Sequence, residues 1–397
     1  MRFEIQMGAA LVLSAPAALV AQGKIDLPVS RAELEHRVKV DSNDAAAHYN
    51  VAVAYWNDRR WADVERELRA AVALDPRLAV AHLALSQVPL VRDPMFEEKL
   101  SGATGTRGDS LRHVLEDVDH EYRLAFLIDP LVDIRILAAA VSSSISEADA
   151  RAALGQAFGD YYSGLINCLE GHYTACESGL NGYLADENGA MGQPPTDVYW
   201  FLGLAAAHDQ HYDDAIRDFQ TLIDREESAA KKVEKQDVVR IPLRSNEYRY
   251  FIAVFQHAAC NTEAALSLYQ QVLQNDIGLF MAHVRMADIY EARHDYPHAV
   301  AERRNAVNAD PDDATLQRDL GVTLGKSGDF AGAAQALQAA VAALPRDAES
   351  WFWLGLADEQ LGKKADARDA YRRVIALAPS RLAARIAQAR QHLAALQ

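Results

Sequence analysis

A solenoid of stacked antiparallel helix pairs, all-α throughout, is the fold class that the sequence predicts. Three observations point to it. Pro311, Pro345 and Pro379 recur 34 residues apart. Small residues recur at fixed phase between them: Leu320-Gly321 and Leu354-Gly355 in the first half of each interval, Ala333 and Ala367 in the second, with Leu337 and Tyr371 one turn later. Composition agrees, since an Ala-rich chain with only 13 prolines in 397 residues favours helix.

Each part of this period has a physical reason. Two helices approach closely only where Gly or Ala removes side-chain bulk, and the large neighbour fills the flanking space. A proline after the second helix has no N–H to donate and turns the chain into the next pair. An array built this way grows along one axis, so its core is not limited to the size of one globular domain.

Followed toward the N-terminus, the period continues. The interval 280–313 carries Ala287, Tyr290, Tyr296, Ala299, Ala306 and Pro311. The interval 246–279 carries Ala253, Ala265, Tyr269 and Val272, with Ile277 where the proline would stand. A further unit at 196–229 shows Tyr199, Leu202-Gly203, Tyr212, Ala215 and Phe219, and an outlying one at 45–78 shows Ala52, Tyr55, Trp61, Leu68, Ala71 and Asp75-Pro76. In these residues the chain resembles the tetratricopeptide repeat family. The resemblance implies a right-handed superhelix of helix-turn-helix pairs that binds a protein or peptide in a concave groove, without catalysis and without a cofactor.

One groove-facing position of the family can be read at constant phase in every unit: Tyr49, Leu83, Tyr161, Trp200, Tyr250, Val284, Arg318 and Phe352. Members that clamp a C-terminal carboxylate resemble one another in carrying Lys and Asn in this region, and this sequence departs from that pattern. Tyr49, Tyr161, Trp200, Tyr250, Arg318 and Phe352 are therefore the candidate groove residues. The aromatics among them either hold an apolar or Pro-containing segment or pack against neighbouring helices.

The remainder is less regular. Residues 1–21 read as a secretory signal peptide: Arg2 opens a short head, Met7 to Val20 is apolar apart from Ser14 and Pro16, and Ala21 offers a cleavage point. That expectation places the mature protein in the periplasm or outside the cell; an uncleaved segment would leave it cytoplasmic. Residues 22–44 read as a linker. Residues 45–130 read as repeat-like pairs with a loop inserted at 89–110, the second pair running from Leu78 to Val88 and from Leu111 to Ile128. Residues 131–195 read as irregular helix, 230–245 as a locally basic insertion in the array at 196–381, and 382–397 as a helix closing the end of the stack.

Candidate chemistry is sparse. His208, Asp209, His211, Asp213 and Asp214 are dense in metal-ligand types, but they fall on a short turn, where convergence of three or four ligands is rare. His113, Asp117 and His120 share one helical face, which also describes a solvated surface. Neither group is assigned a metal, and no nucleophile motif, phosphate-binding loop or Cys-x-x-Cys pair is present. A metal-dependent enzyme or hydrolase seated in 79–195 is the rival reading. Cys168 and Cys176 are either two buried thiols or a disulfide across one helical hairpin, leaving Cys260 over. The formal charge of −16 argues against nucleic acid or an anionic lipid surface as a partner.

Overall fold

A computed structural model describes residues 25, 27, 29–93, 96, 99, 105–137, 156–185, 195–233 and 244–396. The secondary structure of the described residues is helical and contains no strand. The predicted signal peptide, residues 138–155 and 186–194 of the segment read as irregular helix, and residues 234–243 of the span read as an insertion lie outside them. The fold is an all-α solenoid of helix pairs, and it divides into two compact units.

The first unit comprises the described residues within 1–28, 52–69 and 78–268. Helices α4 (Ala79–Arg92) and α5 (Gly105–Ile128) pack as a pair, as do α6 (Gln156–Glu170) and α7 (Tyr173–Ala185). Helix α8 (Thr196–His208) follows against α7 and pairs with α9 (Tyr212–Val233), which packs in turn against α10 (Ser245–Ala258). Two boundaries differ from the sequence reading. Helix α4 runs through Pro89 to Arg92 because Leu90 and Val91 are buried against Phe96 and Val118, and this apolar burial outweighs the proline in the last turn. Helix α9 continues to Val233, inside the span read as an insertion.

Glycines set the closeness of these pairs. A Cβ added to Gly179 would stand 2.8 Å from the Cα of Gly164, so the backbones of α6 and α7 meet there with no side chain between them. Further along, rings fill the core. Phe219 is fully buried with ring centroids 5.4 Å from Trp200, 5.5 Å from Phe251 and 5.5 Å from Phe255.

The second unit comprises residues 29–51, 70–77 and 269–397. Its regular part is α12 (Phe280–Ala292), α13 (Tyr296–Ala309), α14 (Ala314–Ser327), α15 (Phe330–Ala343), α16 (Ala348–Gln360) and α17 (Lys364–Leu377), each packed on the next, with α18 (Ala383–Ala395) on α17. Asp295, Asp313, Asp329 and Asp347 cap α13, α14, α15 and α16 by accepting hydrogen bonds from backbone N–H groups of the first turn. A Cβ on Gly321 would lie 2.5 Å from Leu337, and one on Gly355 2.8 Å from Tyr371, which are the approaches the period requires.

The 34-residue period is also written in the backbone. Cys260, His294, Gly328 and Gly362, each 34 residues from the last, have φ of 65°, 59°, 89° and 74°. Every one sits in the turn between the two helices of a pair, where the chain must pass through the left-handed region. Helix α1 (Arg31–Val40) is a correction: the span read as a linker contains a helix, N-capped by Ser30, whose side chain accepts from Glu33 N–H at 3.3 Å, with Leu34 buried beneath it. Helices α2 (Ala45–Asn57), α3 (Trp61–Leu74) and α11 (Thr262–Asn275) each pass from one unit into the other.

Candidate functional site

Of the candidate groove residues, three are core. Trp200, Tyr250 and Phe352 are buried, so the reading of these rings as ligand contacts is corrected to packing. Each is held by large neighbours: Trp200 by Phe126 and Phe219, Tyr250 by Phe251, Phe352 by Tyr371 and by the Arg385 guanidinium 4.2 Å from its ring. The Tyr250 hydroxyl also donates to the Leu127 carbonyl at 2.7 Å. Tyr161 is half-buried and donates to Asp197 at 2.6 Å, while burial and the Asp197 charge push its phenol up. Tyr49 is half-buried as well.

Arg318 belongs to an ionic network in the second unit. Its guanidinium pairs with Asp319 at 3.1 Å and with Asp347, the N-cap of α16, at 3.5 Å. Burial disfavours the Arg318 charge, yet Asp319 and Asp347 override it and raise its pKa. Asp319 also receives Arg77 at 2.7 Å, and Arg303 lies 3.9 Å away. Burial pushes the Asp319 carboxyl up, but Arg77, Arg318 and Arg303 together hold it below the usual carboxylate range. Arg77 reaches Asp313, the N-cap of α14, at 3.3 Å.

Elsewhere on α14 and α16 the surface is apolar. A notch of about 280 Å³ opens between α14, α15 and α16. It is lined by Gly321 and Gly325 of α14, Phe330 and Ala333 of α15, and Trp353, Leu356, Ala357 and Gln360 of α16. Gly325 creates the room, since no side chain projects from α14 at that turn. Trp353 is anchored by an indole N–H donated to Glu349 at 2.9 Å, so its ring is a fixed wall. Trp353 and Leu356 are both partly exposed, whereas Phe352 is buried. The more accessible side of α16 thus lies about 40° to 100° round the helix from the position read from the sequence.

Of the two readings of Cys168 and Cys176, buried thiols or a bridge, the structure has the bridge: they form a disulfide across the α6–α7 hairpin, with Cα atoms 4.8 Å apart, within the range such a bond requires. Both are buried, and Cys260 is exposed. The histidine-rich turn serves separate partners. His208 stacks on Tyr173 with centroids 4.0 Å apart, its pKa lowered by burial, while Asp209 accepts from Thr174 and His211 faces Glu177 at 3.8 Å. His113 pairs with Glu116 on an exposed face. Among the described residues no three His, Cys, Asp or Glu side chains converge as metal ligands, and no helix is long and apolar enough to cross a membrane.

Comparison with known proteins bears on the repeat. The family model described as tetratricopeptide repeat matches residues 318–381, the stretch that contains both Gly321 and Gly355 and every wall of the notch. No curated protein matches the chain. Among solved structures, the chain is similar to MamA from Desulfovibrio magneticus RS-1 (18% identity, 47% of this chain and 97% of that one, TM-score 0.37). It is also similar to the C-terminal part of a TPR repeat-containing protein from Cytophaga hutchinsonii (12%, 55% and 78%, TM-score 0.43). A tetratricopeptide repeat protein from Parabacteroides merdae aligns over 77% of this chain and 99% of its own, at 12% identity and a TM-score of 0.36.

Proposed function

Because the chain is a tetratricopeptide-repeat protein, we propose that it is a non-catalytic scaffold that captures a peptide or protein segment on the α14–α16 face of its C-terminal unit. The observation that carries this reading is the notch itself. It is apolar, walled by the fixed ring of Trp353, and of a size to take one or two aliphatic side chains or a proline ring. Gln360 at its edge offers an amide to a bound backbone.

A crosslinking pull-down with the full chain as bait, analysed by mass spectrometry, tests the reading. Leu356→Lys places a charge in the notch while remaining partly solvated, so helix content should hold and capture of the partner should fall at least about tenfold, equivalent to about 1.4 kcal/mol. Equal capture by the variant and the parent would sink the notch as the binding surface.

We further propose that the protein works in an oxidising compartment after export. The apolar stretch from Met7 to Val20 and the Cys168–Cys176 bridge support this together, since such bonds are uncommon in reducing cytosol. N-terminal sequencing of the protein from its native host should begin at Gln22; an intact Met1 would remove the export proposal.

A further inference from the structure

Two glycines of α14 line the notch, and they differ in what holds them there. At Gly321 a Cβ would stand 2.5 Å from Leu337 Cγ and 3.2 Å from the Ala333 carbonyl, so the packing of α14 on α15 forbids one. At Gly325, one turn further on, the nearest atoms to a Cβ would be Ala333 Cβ at 3.8 Å and the edge of the Trp353 ring at 3.8 and 4.0 Å. These are ordinary van der Waals separations. Nor does the backbone require a glycine at Gly325. Gly328, three residues later, takes the left-handed φ of 89° that ends the helix, whereas Gly325 lies within α14 and has no positive φ.

An alanine therefore fits at Gly325. It would favour the folded chain, because glycine is the poorer helix former and leaves the unfolded chain more freedom. The added methyl would also gain contacts with Trp353 and Ala333. The chain forgoes that stability and keeps an open space against a fixed aromatic ring, which is the pattern of a position held for binding rather than for packing.

We propose that Gly325 sets the depth and selectivity of the notch, its missing methyl leaving room for the ring of a proline on an extended partner segment. The inference rests on the notch being the capture surface. The lining selects proline. Only Trp353 and Gln360 among the lining residues carry hydrogen-bonding side chains, and the Trp353 indole N–H is already given to Glu349. A bound residue thus meets a single amide, that of Gln360. Proline brings no N–H that would be left unsatisfied there, and a neighbouring carbonyl can accept from Gln360. Its ring packs on aromatic side chains, supplied by Trp353 and Phe330, and a proline-containing segment is already extended before it docks. A leucine at the same place brings a backbone N–H with it.

Thermal unfolding gives the first test. Gly325→Ala should raise Tm by about 1–3 °C, whereas Gly321→Ala should lower it. A lower Tm for Gly325→Ala means that α14 needs this glycine for packing, and overturns the proposal. Binding to the full chain is then read with two blocked pentapeptides, Ac-Ala-Ala-Pro-Ala-Ala-NH2 and its leucine counterpart. Each is titrated to about 20 mM while the Trp353 indole N–H resonance, identified by its loss in Trp353→Phe, is followed. The parent should bind the proline peptide at least about fivefold more tightly than the leucine peptide, and Gly325→Ala should weaken the proline peptide at least about fivefold. No shift in the parent, equal or tighter binding of the leucine peptide, or equal affinity in the parent and Gly325→Ala each overturns it. Partner capture that falls in Leu356→Lys but not in Gly325→Ala would keep the notch as the capture surface and remove only the role given to Gly325.

Discussion

The α8–α10 region of the first unit and the α14–α17 region of the second solve one packing problem with different materials. Both stack consecutive helices against one another, the first with a longer interval between its first helices (Thr196 to Ser245) than the second (Ala314 to Ala348). In α8–α10 the interior is a cluster of rings centred on Phe219, fully buried among Trp200, Tyr248, Phe251 and Phe255. Around α14 and α15 it is mostly Ala, Leu and Val, with charges at the helix starts, and rings return only at α16–α17 with Phe352 and Tyr371. The difference teaches where a repeat family is recognisable. Small residues at close approaches admit few substitutes, so α14–α17 retains the family pattern and is the stretch that the family model matches. A ring cluster tolerates many arrangements of similar volume, so the pattern fades while the architecture persists.

The largest expected contrast comes from deleting the central ring. Phe219→Ala should cost about 3–5 kcal/mol, because the ring is fully buried and its aromatic neighbours cannot close around the void. Denaturant unfolding followed by helical signal measures it, and a loss below 1 kcal/mol would mean that the cluster collapses easily. In the other region the sensitive position is a glycine. Gly321→Val drives a side chain into Leu337 and should cost about 1–3 kcal/mol by overpacking. Unchanged thermal unfolding would show that α14 and α15 can separate freely, against the fixed approach described above.

The first unit also holds a covalent tie that the second lacks among its described residues. Reducing Cys168–Cys176, or replacing both with Ser, should lower stability by about 2–3 kcal/mol for so short a loop. Equal melting with and without reductant would show that the hairpin needs no bridge.

Protonation separates the regions further. Burial pushes the Asp218 carboxyl on α9 up to about 6, partly opposed by Arg217 and reinforced by Asp214 and Glu177. The folded state therefore holds a proton that the unfolded chain has released between about pH 4 and pH 6, and stability contributed by this group falls as pH rises through that window. Asp218→Asn should gain about 1–2 kcal/mol at pH 8 and little at pH 4. A gain independent of pH would place its cause outside the titration. Asp319 on α14 has the opposite shift, being held low by three arginines, so its contribution is lost as pH falls below the ordinary carboxylate range.

The smallest effect sits in the turns. Gly328 and Gly362 take the left-handed conformation at little steric cost, whereas Cys260 and His294 occupy it with a Cβ. Cys260→Gly or His294→Gly should raise stability by about 0.5–1 kcal/mol, net of the entropy a glycine adds to the unfolded chain. A loss in both would show that the side chains contribute more than the strain removes.

Local pairing was legible in the sequence because it is periodic. Gly321 against Leu337 and Gly355 against Tyr371 are both 16 residues apart, and the 34-residue repeat presents each contact again. Helix α1 had a signal that composition obscured: Ser30 with Glu33 three residues later is a capping-box spacing. The exposure of Trp353 and Leu356 in place of Phe352 was beyond reach, since a phase error of one residue rotates a helical side chain by about 100°. Arg77 in the Asp313–Asp319 socket was wholly illegible. It joins residues 236 and 242 positions apart, and no period relates them.

The passage of α2, α3 and α11 from one unit into the other has a consequence for how this gene can be divided. The chain crosses between units at residues 28, 51, 69, 77 and 268, and three of those crossings fall inside helices. A reading frame opened at Tyr269 would encode the regular helices but not residues 29–51 or 70–77, which belong to the same unit. Exon shuffling or recombination at that seam would transmit an incomplete body each time. The two units are heritable only together.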